Sequence, residues 1–151
     1  MRKPLFLTCV IALLLVGVSY GQSYSGGVGF CPNGNTVYET LIVSEPYLNS
    51  PGDRAVGVLR IQNGGGGAGP QTYTATISIY APGGTTAAAT NSRTFTLTHY
   101  LESVNVPLEF ATPCSPTGYW TFKGKVSNGG QSCGSPATAQ VYVNPNAPCL
   151  P

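Results

Sequence analysis

The sequence predicts an all-β chain folded as a single antiparallel β-sandwich. Three observations carry this. Apolar and polar residues alternate in short runs, the period of a half-buried strand. Turn-forming stretches separate those runs, drawn from 20 Gly and 13 Pro in 151 residues. After residue 21 no window of useful length places apolar residues at i, i+3, i+4 and i+7, and the one helix-friendly run, Ala87-Ala88-Ala89, follows Gly83-Gly84 and two threonines. With 42% hydrophobic and only 8% charged residues, the composition is also the opposite of a disordered chain.

The chain opens with Met1-Arg2-Lys3, an apolar run from Leu5 to Val18, and the small-residue site Ser19-Tyr20-Gly21. That order reads as a secretory signal peptide over residues 1–21, cleaved after Gly21 or alternatively after Ser19. The run is short for a bilayer span and no second one follows, so no integral membrane segment is expected after cleavage. Cys9 lies inside the run and leaves with it. Arg2 and Lys3 leave too. Arg54, Arg60, Arg93, Lys123 and Lys125 then balance Glu39, Glu45, Asp53, Glu102 and Glu109. A nucleic-acid or anionic-membrane partner normally needs a basic excess, so no nucleic acid is expected. The expected location is secreted, extracellular or periplasmic.

Residues 22–35 are Gly- and Ser-rich, and are expected to be loose until Cys31 ties them down and Pro32-Asn33-Gly34-Asn35 turns the chain. Thr36 to Val43 is a strand with Val37, Leu41 and Val43 on one face. Residues 46–53 read as a loop. Ala55 to Gln62 follows as a strand, with Ala55, Gly57, Leu59 and Ile61 pointing one way. Residues 63–70 break the chain, because glycine is costly in conformational entropy to hold in a ladder. Thr72 to Tyr80 alternates most cleanly: Tyr73, Ala75, Ile77 and Ile79 face in. Residues 85–90 form a weak edge strand, and Arg93 to Thr98 is a strand carrying Phe95 and Leu97.

Val104, Val106, Leu108 and Phe110 line the next strand, where Pro107 must avoid needed ladder bonds. Residues 111–117 turn a corner that contains Cys114. Gly118 to Val126 places Trp120, Phe122, Gly124 and Val126 on one face. It holds the only Trp of the chain and so crosses the middle of the core. Residues 127–136 are a loop with Cys133. Thr138 to Val143 closes the set with Ala139, Val141 and Val143 inward. Residues 144–151 are a Pro-rich tail fastened by Cys149. An even count of four cysteines in an exported chain favours two disulfides. Four thiolates could instead hold zinc, but such sites show Cys-x-x-Cys pairs, which are absent.

The strand order, with Ser115-Pro116-Thr117-Gly118-Tyr119-Trp120, resembles the immunoglobulin-like superfamily over residues 36–143, in the broad form found as modules of secreted bacterial proteins. In that family an aromatic two residues after the corner glycine faces the core, the place Trp120 takes. The chain departs from antibody domains: it lacks their Cys–Trp–Cys spacing, and its cysteines sit in loops. The resemblance implies seven or eight strands, with Thr36–Val43 as strand A, the Trp120 strand as F and Thr138–Val143 as G. On that layout strand F holds the two ends of the domain more than ~20 Å apart at ~3.3 Å per residue. A disulfide tolerates only about 7 Å between Cα atoms. The layout therefore implies Cys31–Cys133 at one end and Cys114–Cys149 at the other. It implies no activity.

Catalytic motifs are weak. Gly130-Gln131-Ser132-Cys133-Gly134 matches a hydrolase elbow, but strands flank it and the only histidine, His99, comes earlier. Gly64 to Gly69 contains Gly-x-Gly-x-x-Gly, but a strand follows where a phosphate cradle needs a helix. Glu102 and Glu109 have opposite parity on one segment, unlike the opposed carboxylates of a glycosidase. The best signal is an outward face. Tyr80, Tyr119 and Tyr142 come together there if their strands are neighbours, with Lys123 beside them as a fourth ligand-binding candidate. The resulting expectation is a secreted, non-catalytic binding or structural module. It needs no cofactor or metal, and its partner is an extracellular protein or glycan. The alternatives are a carbohydrate-binding module on the tyrosine face and a small carboxylate-dependent hydrolase.

Overall fold

The computed structural model describes residues 23–50, 52–66, 69–111 and 116–144. The described elements are all strands: β1 (Ser23–Phe30), β2 (Thr36–Val43), β3 (Tyr47–Leu48), β4 (Arg54–Gly65), β5 (Gln71–Tyr80), β6 (Ala87–Leu97), β7 (Ser103–Ala111), β8 (Gly118–Asn128), β9 (Gln131–Ser132) and β10 (Ala137–Val143). They form two sheets. One has the order β1-β2-β4-β7, the other β3-β10-β8-β5-β6 with β9 paired to β8. Every pairing is antiparallel except the short β3–β10 contact.

The core lies between the sheets and is built from alternate residues, as the period-2 pattern requires. Leu41, Leu59, Ile61, Tyr73, Ile77, Ile79 and Phe122 are fully buried. Strand β8 is interior because β5 and β10 pair with its two edges. Its Trp120 is 5% exposed and packs on Phe110 at 4.8 Å between ring centroids. The indole Nε1–H donates to the Pro116 carbonyl at 3.0 Å, so the ring's one polar atom is satisfied.

There are ten strands among the described residues rather than seven or eight, and the differences have physical causes. Ser23–Phe30 is not loose. It pairs with β2 along its whole length, using backbone groups that need no side-chain pattern. Strand β4 runs on through Gly65 because Asn63 holds it. The Asn63 N–H donates to the Glu102 carbonyl at 2.9 Å, and its Nδ2 donates to the His99 carbonyl at 2.9 Å.

The two expected pieces at 85–90 and 93–98 merge into the single edge strand β6. Cross-strand hydroxyl pairs Thr72–Thr96, Thr74–Thr94, Thr76–Ser92 and Ser78–Thr90, at 2.9–3.1 Å, tie it to β5. The expected loops 46–53 and 127–136 contain β3 and β9. Pro107 sits on the edge strand β7, where a missing N–H is tolerated.

Cys31 and Cys133 are disulfide-bonded with Cα atoms 4.0 Å apart, which fixes the end of β1 to the segment before β10. Cys114, Cys149 and the proposed signal segment lie outside the described residues. Among the described residues no helix is long and apolar enough to cross a membrane.

Candidate functional site

Neighbouring strands β10, β8 and β5 present alternate residues on the outer face of their sheet. Tyr142 is the register partner of Tyr119, and their rings stand edge-on at 5.0 Å between centroids. Parallel pairing of β3 to β10 adds Tyr47, whose ring lies 6.4 Å from that of Tyr142. Tyr47 and Tyr119 are 61% and 57% exposed, so the cluster meets solvent with large apolar surfaces.

Tyr80 is placed differently from the sequence expectation. Its register partner is Thr121, two positions along β8 from Tyr119. Its ring meets Lys123 instead, with Nζ 4.7 Å from the ring centroid, a cation–π contact. Tyr119 and Tyr142 are therefore brought together, while Tyr80 and Lys123 form an adjoining pair. A shallow groove of about 330 Å³ runs beside that pair, lined by Thr76, Ser78, Tyr80, Lys123, Lys125 and Pro136.

No acidic residue lies on the strands of this face. Glu109 pairs with Arg54 on the other sheet. The Glu102 carboxylate is held in the β6–β7 turn, where it accepts from the Thr98 N–H at 2.7 Å, the His99 N–H at 3.0 Å and the Thr98 hydroxyl at 3.0 Å. Those hydrogen bonds hold its pKa below the ordinary value. Glu45 and Asp53 line a separate groove at the margin, beside Tyr47. The ammonium groups of Lys123 and Lys125 thus face solvent with hydroxyls and rings as neighbours.

Two residues escaped the sequence reading. Tyr47 follows Pro46, whose carbonyl accepts the Tyr142 N–H at 2.7 Å and steers β3 onto β10. Glu39 is the more consequential. It shares the inner face of β2 with Val37 and Leu41, yet it carries a carboxyl group and is only 4% exposed. Its Oε2 is buried without a hydrogen-bond partner among the described residues. Burial raises its pKa to about 7. The signal was its parity: position 39 falls in phase with apolar positions 37, 41 and 43.

The remaining motifs are structural. Ser132 of the Gly-x-Ser-x-Gly match donates its hydroxyl to the Gly134 carbonyl at 2.7 Å, and Cys133 is in the disulfide. His99 is hydrogen-bonded through Nδ1 to the Thr98 hydroxyl at 2.7 Å. Among the described residues no group of three His, Cys, Asp or Glu is arranged to hold a metal ion.

No family model and no curated protein matches the chain. One similar solved structure is the Pseudomonas fluorescens alkylpurine DNA glycosylase AlkC bound to DNA containing an abasic site analog. The two share 16% identity and a TM-score of 0.46, over 68% of this chain and 28% of that one. This chain thus spans less than a third of that protein's length.

Two expectations are corrected here. The sequence favoured a secreted non-catalytic module with protein or glycan partners, and it excluded nucleic acid. The similar structure is a DNA-bound enzyme, so both the module reading and the exclusion are set aside. A likeness of this size in turn assigns neither DNA nor catalysis to this chain.

Proposed function

We propose that the outer face of the β3-β10-β8-β5-β6 sheet recognises an anionic ligand that also presents a flat or apolar surface. One observation carries this: Lys123, held over the Tyr80 ring, lies four residues along β8 from Tyr119 of the Tyr119–Tyr142 pair, in the same strand phase, on a face whose strands carry no carboxylate. A cation braced against a ring loses less freedom on binding than a free one. The tyrosine rings supply contact area at low conformational cost. Such an interface weakens with salt, because its charges sit at the surface.

Binding of the purified chain to polyglutamate, oligothymidylate, a sulfated oligosaccharide and neutral dextran tests the reading. At least one polyanion binds and dextran does not, and the joint substitution K123A/K125A lowers affinity about tenfold or more, close to 0.7 kcal/mol or more per charge. Equal binding of dextran, or affinity unchanged by the substitutions, overturns it.

Three finer readings accompany this one. The immunoglobulin-like assignment is supported by the orders β2-β4-β7 and β10-β8-β5, which follow the A-B-E and G-F-C orders of that fold. A second bridge, Cys114–Cys149, is supported by the pairing of Gly118, shortly after Cys114, with Val143, shortly before Cys149. Export through residues 1–21 is supported by the Cys31–Cys133 bridge, which fits an oxidising compartment.

A further inference from the structure

We propose that the cavity above Glu39 is a binding site for a primary ammonium group, opened by the absence of a side chain at Gly27. The cavity measures about 240 Å³ and lies between the two sheets, walled by β1 on one side and by Ser135, Pro136 and Ala137 on the other, with Glu39 beneath. It exists because β1 and β10 do not pair as a ladder. Ser23 and Ser25 bridge them instead, their hydroxyl oxygens accepting the Gln140 N–H at 3.2 Å and the Thr138 N–H at 3.4 Å.

Gly27 is the register partner of Glu39. Its φ is not in the left-handed region, and a Cβ there would meet nothing within 4 Å. Neither the backbone nor the packing therefore requires glycine at this position. Gly29, two residues on, shows the contrast: its Cβ would stand 2.2 Å from the Cys133 carbonyl oxygen. Glycine at 29 permits close packing of β1 on the disulfide segment. At 27 it leaves open the space beside a carboxyl group.

That carboxyl is the second observation. An unpartnered polar oxygen in a protein interior is costly, and an ionised one more so. Among the described residues Glu39 Oε2 has no hydrogen-bond partner, and Glu39 lines the empty volume. A ligand that donates a hydrogen bond and carries positive charge satisfies both needs. One unpartnered oxygen suits a single N–H donor better than the two-pronged fork of a guanidinium, which takes both carboxylate oxygens. An isolated carboxylate suits an organic cation better than a metal ion, since the described residues offer no cluster of three ligating side chains. The raised pKa of Glu39 agrees with this: a bound cation favours the carboxylate, so binding near neutral pH releases a proton. The ammonium group could come from a free alkylamine or from a lysine side chain.

Isothermal calorimetry on the purified chain with n-propylammonium, Nα-acetyl-lysinamide and neutral n-propanol tests this. Propylammonium binds at pH 8 and propanol does not. Its affinity at pH 5 falls roughly a hundredfold, following the fraction of ionised Glu39. Binding of the lysinamide as well identifies a lysine side chain as an acceptable source; its failure restricts the site to free amines. E39Q abolishes binding. G27V blocks it by filling the cavity while the chain stays folded, so the test survives even where E39Q does not fold. Equal binding of propanol and propylammonium overturns the proposal, as does no binding of propylammonium at pH 8 or undiminished binding by G27V.

Discussion

Phe122 on one sheet rests against the bare backbone of Gly57 on the other. A Cβ at position 57 would stand 2.6 Å from the ring carbons Cδ1 and Cε1. The contact is reciprocated one step along β8, where a Cβ at Gly124 would stand 2.5 Å from Leu59 Cδ1. Two glycines, one from each sheet, thus set how closely the layers approach. Gly57→Ala forces the rings or the sheet to shift, and costs about 1–3 kcal/mol in urea unfolding. Gly27→Ala, where a Cβ meets nothing, is the control and stabilises by about 0.5–1 kcal/mol. Equal effects at the two positions would contradict the packing described.

The Cys31–Cys133 bridge spans a sequence separation of 102 residues. A cross-link of that length removes much of the unfolded chain's freedom. Joint replacement of both cysteines by alanine lowers stability by about 2–5 kcal/mol, read as the drop in urea midpoint without reductant. An unchanged midpoint would mean that the bridge does not constrain the unfolded chain in this way.

Glu39 makes stability depend on pH in a defined direction. Its pKa is about 7 in the fold against an ordinary value of 4.5, so between those values the folded chain holds a proton that the unfolded chain has released. Stability is therefore greatest below pH 4.5, falls as pH rises through 4.5 to 7, and levels off above. The loss is about 1–3 kcal/mol, the lower end allowing for water at the cavity mouth. Urea unfolding from pH 4 to pH 8, in wild type and E39Q, checks this. The amide variant removes that slope; an identical slope would assign it to other groups.

Much of the fold was legible because side-chain alternation reports a buried face. Trp120 and Phe122, or Ile77 and Ile79, announce their strands without help. What was not legible lacked that signal. Strand β1 contains Gly26, Gly27 and Gly29, whose missing side chains leave no pattern, and its pairing is made by the backbone alone. A two-residue strand such as β3 falls below any period. The candidate face was half legible. Parity correctly put Tyr80, Tyr119 and Tyr142 outward, but parity does not give register. Register is what sets Tyr119 opposite Tyr142 and moves Tyr80 toward Lys123. Glu39 was hidden by its chemistry, since a charged residue in an apolar phase is easily read as an interruption of the pattern.

Amide chemical-shift mapping of the ¹⁵N-labelled chain, titrated in turn with polyglutamate and oligothymidylate at low salt, tests the central claim most directly. The account predicts perturbations concentrated at Tyr119, Thr121, Lys123 and Tyr142, fading as salt is added. Perturbations centred instead on Arg54 and Arg60 of the opposite sheet, or none with either polyanion, would contradict it.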